Sequence, residues 1–557
     1  MHWLEKVLPE GSVAGGLATL SFAVVLGLLL GAIRVRGIGL GVAAVFFAAL
    51  GLGAIGLRVN PDVLQFMRDF SLIVFIYTIG LQVGPSFFGS LRAEGLKLNA
   101  LATLTIVLGV LMAAGLVWLT RSPGASGAGI FVGAFATTPG LAAAQEGLRG
   151  TLFTPARADA EKTMTLAYAL TYPLGIIGPI FLIPFFRAIF RVRLYEERRA
   201  LEIRDASQRP RREHVDIEVT RNEPVGVALK DLHCVQGRGI VFSRLLRDQK
   251  LTVPAAETRI QMGDVVRVVG TRALLAEVVA ALGRESKLDL SSVSHDVELA
   301  RLIVTRRSAL RRSLRELDLT NRYGVTLARV NRAGVELVPG ANLRLMFGDL
   351  VSAVGPAGGL KHVEQELGNS QEAADAPQLI PIFLGFVLGI LAGSIPLVLP
   401  GMRSGLKLGL AGGPMLVAIA LSRIGNIGPL VWYMPSVAQT MLRDFGMAVF
   451  LACAGLAVGA DFPSILGGGT GFKLILWGAL ITLVPMFVVG AFARIFLKLN
   501  FITLAGLTAG AMTSSPTLLF AGDYTKSKEV AVAYAAVYPL STLLPVFCAQ
   551  ILVATLS

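Results

Sequence analysis

The apolar parts of this chain say nearly the same thing twice. Arg68-Asp69-Phe70 opens RDFSLIVFIYTIGLQVG, and Arg443-Asp444-Phe445 opens RDFGMAVFLACAGLAVG 375 positions later, without a gap. GAFATTPGLA (Gly133–Ala142) is answered by GAMTSSPTLL (Gly510–Leu519) 377 positions on. AYALTYPL (Ala167–Leu174) returns as AYAAVYPL (Ala533–Leu540), and VLGLLLG (Val25–Gly31) as VLGILAG (Val387–Gly393). Four matches in one order define a duplication. Duplicated apolar halves with broken central segments are a common build of secondary transporters.

Composition fixes the solvent. Of 557 residues, 54% are hydrophobic and 16% charged, against about one quarter charged in a soluble domain. The charge is segregated into the stretch from about Phe190 to Gln378. On either side lie runs of about 20 apolar residues, enough to cross a bilayer as helix. A β-barrel would need short alternating segments, which are absent. The net charge of +14 collects beside apolar runs, as in RAIFRVRLYEERR (Arg187–Arg199), where a lipid-facing cytoplasmic border is expected to be basic. No stacking aromatics accompany it, so no nucleic-acid partner is expected. MHWLEKVLPEG shows no cleavage site after it, so the first apolar run reads as a retained helix. Cys234, Cys453 and Cys548 lack metal-ligand or CxxC spacing and read as buried hydrophobes. No metal or cofactor is expected.

Apolar helices are expected near 13–33, 38–58, 69–88, 96–119 and 162–187, and again near 379–399, 407–425, 444–460, 472–497 and 529–555. Each half also holds an interrupted segment, near 127–147 and 502–521. If that segment re-enters, each half crosses five times. An odd count inverts the second half and places a pseudo-twofold axis in the membrane plane. The TTPG and SSP interruptions favour this reading, because non-helical backbone at membrane depth must be covered by protein or line a cavity. The expected fold is therefore a polytopic α-helical membrane protein of two inverted repeats, each of about five transmembrane helices plus a re-entrant segment. The insert repeats too, at a spacing of 85: Leu232 matches Leu317, Gly239 matches Gly324, Asp264 matches Asp349 and Gly270 matches Gly355. Alternating β-branched residues around each Gly-Asp turn indicate two small α+β domains. The expected boundaries are 1–195 and 378–557 for the membrane repeats, and 210–285 and 295–368 for the inserted domains.

The interruptions carry the strongest chemical signal. Proline lacks an N–H and pushes the preceding residue out of helix. A half-helix starting there aims first-turn N–H groups, and its dipole, at a carboxylate. The candidate substrate-binding residues are Thr137, Thr138, Pro139 and Gly140 in one half, and Ser514, Ser515, Pro516 and Thr517 in the other. The plainer alternative is a proline kink with hydroxyls bonded back to their own helix. Arg68 and Arg443, each followed by Asp, read either as helix-start interfacial residues or as binders of an anionic substrate. Arg423 ends an apolar run and is a candidate by its position in a membrane segment. Gln82 has no polar counterpart in the second half. There is no GxSxG, HExxH, Walker A loop or carboxylate pair, so no enzyme is indicated, and no TVGYG-like filter.

The paired RDF…GL.VG helices, the TTPG and SSP segments and the two central GD…VG modules together resemble the aspartate–alanine exchanger family, whose duplicated membrane domain surrounds two TrkA-C (RCK C-terminal) domains. GGPMLVAIALSRIG (Gly412–Gly425) is similar to a run in that family's second half, whereas VAAVFFAALGLGAIG (Val42–Gly56) has no Arg equivalent. The resemblance implies an inner-membrane antiporter for amino acids or dicarboxylates, of elevator type, with a cytoplasmic insert and a homodimeric state. It also implies gating by a small ligand, such as a cyclic dinucleotide, at the TrkA-C domains. The rival is a TrkA-C-regulated ion channel or cation transporter. That would need acidic residues or carbonyl rings along its path, where hydroxyls and basic residues stand instead.

Overall fold

The computed structural model describes residues 12–34, 41–90, 94–151, 154–208, 213–232, 241–290, 297–397, 406–427, 430–467 and 469–556, less positions 249, 253, 255, 256, 271, 287, 289, 311, 333, 334, 338, 341 and 377. The matched Gly239, Cys234 and the first eleven residues fall outside them. The described chain divides into two compact units. One holds Met1–Arg198 with Pro377–Ser557, and the other is Arg199–Ala376.

The first half of the apolar unit forms α1 (Val13–Ala32), α2 (Ala44–Ala54), α3 (Pro61–Ser90), α4 (Glu94–Thr120), α5 (Gly124–Ala134), α6 (Thr138–Thr151) and α7 (Thr154–Ile189). A polar helix, α8 (Leu194–Gln208), follows in the chain. The second half forms α9 (Leu379–Ser394), α10 (Gly409–Ile424), α11 (Ser436–Val458), α12 (Thr470–Ile495), α13 (Phe501–Ala511), α14 (Ser515–Thr525) and α15 (Glu529–Leu556). Each second-half helix has its first-half counterpart in order. Among the described residues, eight helices are long and apolar enough to cross a bilayer.

α3 and α11 start earlier than the RDF motifs suggest. Asn60 accepts from the Asp62 N–H at 2.9 Å, and Pro61 opens α3 where a missing N–H costs nothing. Arg68-Asp69 and Arg443-Asp444 therefore stand inside helices, two turns past the start, and a helix-start role for either Asp is ruled out.

The helices pack in two groups. In one, α3 lies against α10 and α11, α2 against α11, α9 against α10, and α1 against α2. In the other, α5 and α12 lie against α7, and α4, α6 and α13 against α15. Most of these contacts join opposite halves, and they are reciprocal. Gly80 on α3 sits against Met415 and Ala418 of α10, while its counterpart Gly455 on α11 sits against Phe46 and Ala49 of α2. α3 and α11 cross where a Cβ on Gly446 would lie 2.8 Å from the Ser71 carbonyl. Ser71 and Gly446 are counterparts in the duplication, at the spacing of 375.

The inserted unit is doubled as well. β1 (Glu213–Val219), β2 (Val241–Arg247), β3 (Lys250–Thr252), β4 (Val265–Gly270) and β5 (Gly283–Glu285) form an antiparallel sheet in the order β3-β2-β4-β1-β5. β6 (Val297–Ile303), β7 (Thr326–Arg332), β8 (Val335–Leu337) and β9 (Leu350–Pro356) form the order β6-β9-β7-β8. Helices Arg272–Leu282 and Ala357–Leu367 follow β4 and β9. Buried Ile217, Val266, Val268, Leu275 and Val278 fill the first core. Gly263 and Gly348 take φ of +83° and +81° at the Gly-Asp turns. Each following Asp does more than turn the chain. Asp264 accepts two bonds from Arg247 and one from the Gln261 N–H, and Asp349 accepts two from Arg332 and one from the Met346 N–H, all at 2.7–2.8 Å.

Candidate functional site

Both interruptions are built from the same two caps. α5 closes with Ala136 left-handed at φ +48°. The Ala136 N–H donates to the Gly133 carbonyl and the Thr137 N–H to that of Val132. α13 closes identically, with Thr513 at φ +49° and the Thr513 and Ser514 N–H groups donating to Gly510 and Ala509. This is a Schellman cap with a non-glycine residue in the left-handed position, which stores strain of order 1 kcal/mol. The last residue of each break then caps the next helix. The Thr137 hydroxyl accepts from the Gly140 N–H at 3.2 Å, and Ser514 from the Thr517 N–H at 3.3 Å. Pro139 and Pro516 sit within the first turn rather than before it. Capping and proline together use up most first-turn donors, so each break offers hydroxyls and one N–H rather than a ring of amides.

Each pair of half-helices folds back on itself. On α5, Gly129 packs against Met164 and Ala167 of α7. On α6, Gln145 donates to the Thr165 hydroxyl at 2.9 Å. Both legs thus reach the same level of α7, with the break at the tip. A Cβ on Gly175 would come within 2.7–2.8 Å of the Gly133 and Ala134 carbonyls and the Ala136 N–H. The orphan carbonyl of Ala134 accepts from Thr482 of α12 at 2.9 Å. Thr138 faces Tyr168, hydroxyl to hydroxyl, at 3.2 Å. In the second half Ser515 lies by Tyr534. The far leg α14 reaches Arg187 at the end of α7 through Tyr524, just as Gly147 on α6 reaches Gln550 and Val553 near the end of α15.

The two breaks differ in surroundings. Thr137, Thr138, Pro139 and Gly140 are all buried, as are Ser514 and Thr517, whereas Ser515 is exposed and Pro516 half-buried.

Beside the first hairpin lies a cavity of about 620 Å³ between the two helix groups. Arg58, Arg68, Arg157 and Lys162 line it against Glu161 and Asp461, with Gln145 and Thr165 on its wall. Four cations against two anions in a half-buried space attract a small anion. Gln145 and Thr165 tie this wall to the first hairpin, but the residues of the break, Thr137 to Gly140, do not line the cavity.

A network of ion pairs crosses from one helix group to the other here. Arg68 on α3 meets Glu161 on α7 at 3.2 Å, and Asp69 on α3 meets Arg149 on α6 at 2.7 Å. Arg149 also meets Glu146 at 3.0 Å. In the second half Arg443 pairs with its neighbour Asp444 at 3.0 Å and donates to Gln82 at 3.3 Å. Thus Gln82 and Arg443 are brought together and Arg68 lines the cavity, while Arg423 stands at the exposed end of α10. Glu146, Arg149, Arg157, Glu161 and Lys162 escaped the reading of the sequence. Ionisable residues bordering an apolar break are functional candidates by default, and that signal was available.

These features define a class: a multi-pass helical membrane protein with two like halves around a soluble, duplicated insert. The chain belongs to the aspartate–alanine exchanger family. The family model described as "Predicted Permease Membrane Region" matches residues 19–188 and 381–554, more than half of the chain. The TrkA-C domain model matches residues 214–283 and 299–368. The chain is 40% identical over 545 residues to a protein of Aeromonas hydrophila subsp. hydrophila named "Putative transport protein", covering 97% of this chain and 98% of the other. A protein of Aeromonas salmonicida with the same name is 40% identical over 547 residues, with the same coverage. No solved structure matches the chain.

Proposed function

We propose that the chain is a secondary antiporter that exchanges small anionic metabolites, amino acids or dicarboxylates of the aspartate-for-alanine type, across the bacterial inner membrane. The observation that carries this reading is the pair of capped, broken hairpins, the first of them beside a cation-rich cavity at the boundary of two helix groups. Thr137, Thr138, Pro139 and Gly140, with Ser514, Ser515, Pro516 and Thr517, contact substrate from the two sides. Arg68 and Arg443, with Gln82, attract and orient its carboxylates, and Arg423 marks one end of the path. The hairpin group moves as an elevator against the α3–α11 group, which forms the scaffold of a homodimer in the lipid. The halves are inverted, with the hairpins re-entrant. A counter-substrate gradient drives the cycle, so no catalytic residue is required. The TrkA-C insert is cytoplasmic and regulates the carrier by binding a small ligand, a cyclic dinucleotide being one candidate.

Counterflow in proteoliposomes tests this. Preloaded alanine, aspartate, glutamate or succinate is expected to accelerate uptake of a labelled partner. No acceleration by any of them refutes the exchange reading, and potassium currents in bilayers would replace it with a channel.

A further inference from the structure

The ion pairs around the hairpins are duplicated in sequence but not in geometry. Asp69 and Asp444 are counterparts on α3 and α11, at a spacing of 375. Glu146 and Asp523, and Arg149 and Lys526, are counterparts on α6 and α14, at a spacing of 377. The pair within each hairpin recurs: Glu146–Arg149 at 3.0 Å and Asp523–Lys526 at 3.9 Å, both three residues apart. Among the described residues, the pair between helix groups is formed for Asp69 and Arg149 and not for Asp444 and Lys526. Arg149 holds both oxygens of Asp69, at 2.7 and 3.0 Å, with side chains 19% and 24% exposed. Lys526 and Asp523 are 70% and 89% exposed, and Asp444 is paired with its neighbour Arg443 at 3.0 Å, closer than Arg68 stands to Asp69 at 3.7 Å. The breaks follow the same asymmetry, since Thr138 is buried where Ser515 is exposed. The first half is closed on its hairpin, and the second is not.

We propose that Asp69–Arg149 and Asp444–Lys526 are alternating latches between the two helix groups, one formed in each end state of the transport cycle. The inference rests on the alternating-access reading above. In a molecule of two like halves, the opposite end state exchanges the conformations of the halves. α14 then approaches α11 as α6 now approaches α3, and Lys526 reaches Asp444 as Arg149 now reaches Asp69. Exchanging one bridge for its counterpart keeps the two states close in free energy, which a reversible exchanger needs. The bridges are not equal. Arg149 spans two carboxylates, Nη2 on both oxygens of Asp69 and Nη1 on Glu146, while Lys526 would offer a single point charge. The state with Asp69–Arg149 formed is therefore the more populated one at rest.

The test uses the full chain in proteoliposomes, with Cys234, Cys453 and Cys548 replaced by Ala and two cysteines introduced. Asp69→Cys/Arg149→Cys is expected to cross-link readily at rest. Asp444→Cys/Lys526→Cys is expected to cross-link slowly at rest. Adding Asp69→Asn to the second pair should raise that yield at least about threefold, as loss of a partly buried ion pair shifts the equilibrium. Either cross-link should stop counterflow, and reductant should restore it. A cysteine-replaced parent that exchanges substrate while the 444–526 pair never cross-links overturns the latch, and so does formation of both cross-links in one molecule. Absence of counterflow in that parent counts against the transport reading instead, since cross-linking needs no substrate. Should Asp69→Lys destabilise the protein, the swap Asp69→Lys/Arg149→Asp is expected to restore what it loses. A swap no better than the single change also overturns the latch.

Discussion

Gly175 shows how narrowly the first break is held. Its missing side chain lets α7 approach the break itself: a Cβ there would come within 2.7–2.8 Å of two carbonyls and an N–H. Gly175→Ala must displace that backbone, and overpacking of this kind costs about 1–3 kcal/mol. The expected outcome is a lower Tm in detergent together with a loss of counterflow larger than the loss of folded protein. An unchanged Tm and normal exchange would mean that the break is not fixed from α7. The breaks themselves were legible because TTPG and SSP place proline and short hydroxyl residues inside apolar runs. The left-handed residues were not legible, since Ala136 and Thr513 are poor choices for that conformation and only the surrounding bonds reveal it. Glu146 and Arg149 were hidden for another reason. Their counterparts are Asp523 and Lys526, so a search for identical residues passes over charge-preserving pairs.

Among the elements, the hairpin helices depend on anchors outside the apolar pattern. Glu197 on α8 accepts from the Phe501 N–H at 2.9 Å, so it caps α13, and it pairs with Arg494 at the end of α12. A carboxylate at a helix N-terminus, with a cation at the close of the preceding helix, is favourable by dipole and by charge. Glu197→Gln keeps an acceptor but loses the ion pair, and is expected to lower stability by about 1 kcal/mol. Arg494→Ala should cost a similar amount, and the two changes together should cost less than their sum, measured as a double-mutant cycle. Strict additivity would show that the contact contributes nothing. In the second inserted domain Ser313 and Glu316 form a capping box. The bond from Ser313 holds the Glu316 carboxyl below its usual range. A depressed carboxylate stabilises the fold above its unfolded value and loses that contribution as pH falls through the folded one. The difference in Tm between wild type and Glu316→Gln should therefore shrink below about pH 4; a constant difference would argue against the box. α3, α7 and α11 each begin eight residues before the expected 69, 162 and 444, but helix order was readable from apolar runs and insert strands from alternation. Sheet order and the cross-half packing of α3 on α10 were not, because non-local pairing leaves no local periodicity.

At the scale of the molecule, two kinds of duplication are nested. The membrane halves contact each other reciprocally, and neither could bury Gly80 or Gly455 alone. The inserted domains lie within one separate compact unit, Arg199–Ala376, each with its own buried apolar residues and an Arg clamped on a buried Asp. Among the described residues, the breaks, the cavity lining and the ion-pair network all belong to the membrane unit. If the insert regulates rather than carries, removing Glu213–Gly368 and rejoining the ends with a flexible Gly/Ser linker should leave substrate binding intact. A ligand that binds the folded state alone raises apparent stability by an amount set by its concentration over Kd. The deletion is therefore expected to show the same substrate-induced rise in Tm as the full chain, with a changed exchange rate. The response to any ligand of the TrkA-C domains should vanish. A monodisperse, folded deletion that no longer responds to a substrate of the full chain would show that the insert shapes the site itself.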